Sequence, residues 1–217
     1  MNPKFQNFLS LLHKTRIPFS ELFNQYKNND KKLDRPGGPA IRLHNLSHYW
    51  ACLSFPIQSL LIGIAPSYRG ARFSGIPFTS EAQLQGLKPF SFYNLNPFSQ
   101  TSLGTPRSEN SAAIVWGTLS RMNINTVKKT LLWNVLPFHP HKKNQPLSNR
   151  DPLPEELHYF KPLLLQMLSL SRPRRIFAVG KIAGDFLTTL GISSTLLRHP
   201  AYGGGPRFKQ QLLRALC

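Results

Sequence analysis

Cysteine is almost missing from this chain: Cys52 and Cys217 are the only two. Two thiols cannot build a disulfide scaffold, a four-cysteine cluster or a four-cysteine zinc site, and a reducing compartment is the simplest setting for them. Acids are also scarce, with 9 Asp and Glu against 27 Lys and Arg and a formal net charge of +18. Such an excess favours a polyanionic partner, nucleic acid first and an anionic membrane surface second. The basic residues are spread along the chain, which fits a folded basic face better than a disordered arm. No apolar run approaches the ~20 residues of a membrane span, and the first residues lack the apolar core of a signal peptide. Residues 1–28 carry Lys4, Lys14 and Arg16 against the single acid Glu21. That composition is shared by a mitochondrial presequence and by an amphipathic helix packed on a domain, and the helix is the expected reading. There is no phosphate-loop GxxxxGK[ST], no GxSxG and no HExxH. His139 and His141 flank Pro140 at a spacing that two metal ligands could share, but no acid or thiol stands beside them, so no metal is expected.

Against these absences, a length of 217 residues and a 41% apolar share suit one domain with a real core, residues 1–56 forming an N-terminal helical extension packed on it. Phe5, Phe8, Leu9 and Leu12 recur at helical spacing and predict a helix over residues 3–14. Further helices are expected near Pro18–Tyr26, over Ile41–Leu53, from Pro106 (capped by Thr105) to about Met122, from Pro154 to Leu170, over Gly180–Leu190 and over Pro206–Leu216. Short apolar runs predict strands at residues 58–63, 130–134, 175–179 and 194–198. The alternation of strand and helix predicts a parallel sheet covered on both faces. Two long Gly/Pro/Ser-rich stretches, residues 66–106 and 137–154, read as functional loops.

Three of the strands break into Gly- or Pro-rich turns: Gly63-Ile64-Ala65-Pro66-Ser67-Tyr68-Arg69-Gly70, Asn134-Val135-Leu136-Pro137 and His199-Pro200-Ala201-Tyr202. In an open α/β sheet ligands bind beyond the carboxyl ends of the strands, so these turns should converge on one site. Asn134 offers an acceptor and two donors that either read a pyrimidine edge or close a turn. His199 either donates to a developing oxyanion or is structural. Phe78, in Gly75-Ile76-Pro77-Phe78, either stacks on a base or anchors its loop in the core. Glu81 and Glu109 are the only acids between residues 35 and 150. Both can serve as helix-terminal caps; capping is the expected role of Glu109, and an assisting role in catalysis that of Glu81. Arg69, Arg72, Lys142, Lys143 and Arg207 lie in or beside the turns and are expected around the mouth of the site.

Taken in order, these motifs resemble the uracil-DNA glycosylase superfamily, especially its bacterial branch around families four and five. Gly63-Ile64-Ala65-Pro66 is similar to its Gly-X-X-Pro turn, Gly75-Ile76-Pro77-Phe78 to its Gly-X-Pro-Phe, Asn134 to its strand-following Asn, and His199-Pro200-Ala201 to its late His-Pro-Ser-like turn. The resemblance covers residues 58–210 or so. It implies an α/β/α sandwich around a four-stranded parallel sheet, and hydrolytic release of uracil or another deaminated base from DNA after the nucleotide is flipped into a pocket. It further implies that the first-turn backbone and Asn134 hold uracil, that Phe78 stacks on it, and that His199 stabilises charge on its O2. Ser67, Tyr202 and Gly203 would touch phosphates or wedge into the gap, and Tyr68 would block a C5-methyl. The chain departs from the family where Ile64 stands in place of family four's Glu; family five has an aliphatic residue there and an acid just beyond the Phe, as Glu81 is here. Two cysteines cannot hold the iron–sulfur cluster of those families, so no cofactor is expected. Ala201 replaces the usual Ser. A noncatalytic DNA-binding relative is the alternative that Ile64 suggests. The expected partner is damaged DNA and not a membrane, the expected state a monomer, and the expected location the bacterial cytoplasm at the nucleoid, with organellar import as the other route.

Overall fold

The computed structural model describes residues 3–84 and 99–216. The chain opens with α1 (Pro3–Lys14), whose Phe5, Phe8, Leu9 and Leu12 are all buried, as their spacing requires. Residues 18–26 are not helical, contrary to the sequence expectation. A short strand, β1 (Leu22–Phe23), forms instead. The Asn24 side chain accepts from the Tyr26 amide at 2.9 Å and donates to the Leu12 carbonyl at 2.9 Å, a local turn that competes with helix.

Next come α2 (Gly38–Ala51), the central strand β2 (Ser59–Gly63), and two short helices, α3 (Ala71–Ser74) and α4 (Glu81–Leu84). After residue 99 follow α5 (Asn110–Leu119), α6 (Ile124–Lys128), β3 (Thr130–Asn134), β4 (His139–Pro140) and α7 (Pro154–Ser171). The chain ends with β5 (Arg175–Val179), α8 (Lys181–Thr189), β6 (Thr195–Leu197) and α9 (Gly205–Leu216). α5 starts later than the Thr105-Pro106 signal predicts. The cause is a clamp on the preceding segment: the Ala82 amide donates to the Arg107 carbonyl at 2.9 Å, and the Arg107 amide donates to Glu81 at 3.2 Å.

The main sheet has four parallel strands in the order β3-β2-β5-β6, flanked by helices as an α/β/α sandwich. β2 and β3 are buried along their full length and read as unbroken apolar runs, as inner parallel strands do. β3 lies at an edge of this sheet, and its Leu132 amide donates to the Tyr49 hydroxyl oxygen of α2 at 2.9 Å instead of to another strand. β1 pairs antiparallel with β4, Phe23 opposite His139. α1 packs against α2 and α7, and α5 against α9, so the N-terminal segment lies on the core. Phe8, Trp50 and Trp133 form an aromatic cluster joining α1 and α2 to the sheet, with ring centroids 5.7–6.0 Å apart. Among the described residues no helix is long and apolar enough to cross a membrane.

One charged cluster is sealed in this interior. Asp34 sits between the guanidinium groups of Arg42, at 3.2 Å, and Arg72, all three with side chains at most 1% exposed. Burial works to raise the Asp34 carboxyl, but the two guanidinium groups outweigh it and hold it below the usual carboxylate range. Arg72 also lies over the rings of Phe23 and Phe73, at 4.2 and 4.1 Å. Arg72 is therefore an internal cation, and the expectation that it surrounds the mouth of the site is corrected.

Candidate active site

The register of the sheet sets the geometry of the site. Gly63 pairs with Asn134, so the ends of β2 and β3 lie side by side, and the Val135 amide donates to the Gly63 carbonyl at 2.8 Å, carrying the pairing into the turn. The Gly180 amide, following β5, donates to the Leu197 carbonyl at 2.9 Å, which brings the turn after β6 to the same end. These turns enclose a cavity of about 380 Å³ lined by Gly63, Ile64, Ala65, Pro66 and Ser67, by Phe78, by Asn134, and by His199, Ala201 and Tyr202. The residues that the sequence places at three strand ends thus share one pocket.

Gly63 is required here by close approach. A Cβ at this position would stand 2.6 Å from the Phe78 ring and 2.9 Å from Asn134 Oδ1. Phe78 itself adopts φ 53°, a left-handed conformation that a bulky residue rarely takes. Its neighbours hold it there: Ser74 Oγ donates to the Thr79 carbonyl at 2.7 Å, and the Trp116 indole donates to Thr79 Oγ1 at 2.9 Å. Strain held this firmly at a pocket wall marks a positioned side chain.

His199 is half-buried. Burial lowers its pKa, Arg198 lowers it further, and Asp151 opposes them only in part, so the ring is neutral at neutral pH. Its Nδ1 accepts the Ala201 amide at 3.1 Å, which leaves Nε2 to carry the proton. The site therefore holds a neutral imidazole donor.

Beneath the first turn, His139 is fully buried and donates from Nδ1 to the Pro66 carbonyl at 2.8 Å. His141 Nδ1 lies 3.0 Å from the Lys142 carbonyl. Among the described residues no three His, Cys, Asp or Glu converge as metal ligands. Burial pushes the His139 pKa down to about 4. An unfolded His titrates at its ordinary value, so the unfolded chain takes up this proton first as pH falls, and stability is full above that value and declines below it. Stability is expected to drop by about 2 kcal/mol on this account between about pH 7.5 and about pH 5, and His139→Phe should reduce the drop. Urea unfolding at the two pH values measures it, and an equal drop in both proteins would show that His139 is not its source.

Not every expected site residue joins the pocket. Glu81 is completely buried, and its carboxylate accepts the backbone amides of Thr101, Ser102 and Arg107 at 2.7, 2.8 and 3.2 Å as well as the Ser102 hydroxyl. Every lobe of the carboxylate is committed to pinning residues 101–107, so its expected catalytic role is corrected to a structural one. Tyr68 is not among the residues of the pocket wall. Its hydroxyl accepts from Arg69 Nε at 2.9 Å, and its ring carries the Arg69 guanidinium at 5.5 Å. A steric wall against a methyl group is therefore not its place. Arg69, Lys142, Lys143, Gly203 and Arg207 are exposed, and Tyr202 is 96% exposed at the pocket mouth.

The structure adds residues that sequence reasoning did not assign. Asn149, Arg150 and Asp151, from the loop before α7, line the pocket. Asn149 Oδ1 accepts the Tyr68 amide at 2.9 Å, and Arg150 is locked on Glu156 by two bonds of 2.8 and 2.5 Å. Glu109 also lines it. It occupies the cap position of α5, but its side chain makes no capping bond, which corrects the capping role expected of it.

No curated protein matches the chain. Residues 56–216 match the family model of the uracil DNA glycosylase superfamily. With this fold, this pocket and that match over most of its length, the chain belongs to the uracil DNA glycosylase superfamily.

Proposed function

We propose that this protein is a DNA glycosylase that hydrolyses the N-glycosidic bond of uracil, or of another deaminated base, flipped out of DNA. The observation that carries the reading is the convergence of Gly63, Phe78, Asn134 and His199 on one pocket at the carboxyl end of the sheet. A glycosidic bond inside a duplex is out of reach of any side chain, so the base must leave the stack, and an enclosed pocket with an aromatic wall receives it. Phe78 stacks on the base, and the Asn134 amide bonds to its polar edge. As the base leaves it takes up negative charge, and the neutral His199 Nε2–H donates to the oxygen where that charge collects. Tyr202, almost wholly exposed, fills the gap left in the duplex. Arg69, Lys142, Lys143 and Arg207 bind phosphates, in keeping with the net charge of +18. A second reading, a DNA-binding member without catalysis, is favoured by one observation: Ile64 puts no acid on the first turn of the pocket.

The test is single-turnover base release from oligonucleotides carrying one uracil, hypoxanthine or xanthine. Release of free base and an abasic site is the expected result with at least one of them. DNA binding without release from any would favour the second reading. Asn134→Ala should lower the rate and blur the choice among bases together, because Asn134 touches the base in the ground and transition states alike. Unchanged selectivity in that variant would remove Asn134 from base reading.

A further inference from the structure

Hydrolysis needs a group to take a proton from the attacking water, and Glu81 is sealed away from the pocket while Ile64 lines its first turn. We infer that Glu109 is the catalytic acid–base residue of this site, its carboxylate accepting the proton of the water that attacks the sugar C1′; the inference rests on the glycosylase reading above. Four observations support it. Glu109 lines the same cavity as Asn134 and His199. It has no capping bond to account for its position, although the backbone at φ −132° and ψ 126° places it at the start of α5. The first-turn segment comes directly against the carboxylate at Gly70: a Cβ there would overlap Glu109 Oε2 unless the carboxylate moved. The Ser67 side chain neighbours the carboxylate as a hydrogen-bonding group, and Ser67 Oγ accepts the Arg69 amide at 3.1 Å, which leaves the hydroxyl proton free for another acceptor.

The electrostatics make Glu109 a stronger base than a free carboxylate. Burial raises the Glu109 pKa, while the Ser67 hydrogen bond and the Arg69 charge oppose the rise and do not cancel it. Arg150, Asp151, His199 and the Tyr202 phenol are the other ionisable groups of the pocket wall. Arg150 is already paired with Glu156, and Asp151 is exposed. In the reaction the water oxygen bonds to C1′ as the C1′–N bond breaks. The bonding pair leaves with the base, His199 stabilises the resulting anion, and Glu109 takes the water proton.

The experiment compares wild type, Glu109→Gln and Glu109→Asp in single-turnover release of uracil between about pH 5 and about pH 9, with DNA binding and thermal melting of each. Wild type should lose rate on the acidic side as Glu109 protonates. Glu109→Gln should be slower at neutral pH by ~10²-fold or more, with no acidic limb from this group and with binding and melting unchanged. Glu109→Asp should recover part of both rate and limb. A Glu109→Gln rate close to wild type, or the same acidic limb in that variant, overturns the inference while leaving the glycosylase reading intact. So does a loss of DNA binding or of melting temperature in step with the rate, which would make Glu109 a strut for the Ser67–Gly70 turn. Failure of the wild type to release any base at any pH overturns both.

Discussion

Replacing His199 by alanine is expected to slow single-turnover base release by about 10²–10³-fold while DNA affinity stays close to that of the wild type, the usual consequence of removing one aimed donor from a developing oxyanion. The tautomer of His199 sets this outcome. The Ala201 amide occupies Nδ1, so the proton sits on Nε2, and the depressed pKa keeps the ring from charging at neutral pH. A neutral donor contributes little to the uncharged ground state and much to the charged transition state, which is why the loss should fall on the chemical step and not on binding. Alanine also removes the acceptor of the Ala201 amide and could loosen the turn, so His199→Asn is the companion variant: it restores a polar partner for the turn and a donor of another geometry. Partial recovery in His199→Asn, with none in His199→Ala, is the expected pattern in rapid-quench measurements with enzyme in excess. Equal rates for His199→Ala and wild type would exclude the donor role.

The second large effect is on stability. Asp34→Ala should destabilise the fold by about 3–5 kcal/mol, because it leaves two buried guanidinium groups without their counter-charge. Arg42 would keep its bonds to the carbonyls of Gln25 and Asn28, at 2.6 and 3.0 Å, but among the described residues Arg72 would have only the faces of Phe23 and Phe73. For a chain of this length that corresponds to a fall in melting temperature of about 10 °C. The effect should also reach the pocket, since Arg72 belongs to α3, which follows the first turn directly, and Asp34 forms an isolated bridge with Ser102 of the segment pinned by Glu81. Scanning calorimetry together with single-turnover kinetics measures both. A melting point within a degree or so of the wild type would mean that water or a local shift screens the freed charges.

Much of the architecture is legible locally. The four sheet strands fall where apolar runs occur, within a residue at most ends, and the Gly, Asn and His-Pro signals after three of them mark turns that do meet at one pocket. Inner parallel strands must be apolar throughout, and a pocket at their ends needs residues that bend the chain or approach closely, so both leave a mark on short stretches of sequence. Gly63 is the clearest case: it pairs with Asn134 in the sheet and leaves the space that Phe78 occupies.

What composition and spacing did not determine is the direction in which a charged side chain points. Glu81 and Glu109 look alike in sequence, each an acid near a helix start in a basic region. The clamp of residues 101–107 on α4 turns Glu81 into an internal anchor for backbone amides, while the approach of Gly70 brings the first turn against Glu109 at the pocket wall. Arg72 reads as a surface cation, yet Asp34, 38 residues earlier, draws it into the core. The segment at residues 18–26 has helical spacing but pairs with β4 through Phe23 and His139. In each case the deciding partner lies far along the chain. The sequence by itself therefore determined the sheet, its turns and the chemistry they carry, whereas only tertiary packing decided which of Glu81 and Glu109 faces the pocket, because a charge is buried or exposed according to the partners the completed fold brings to it.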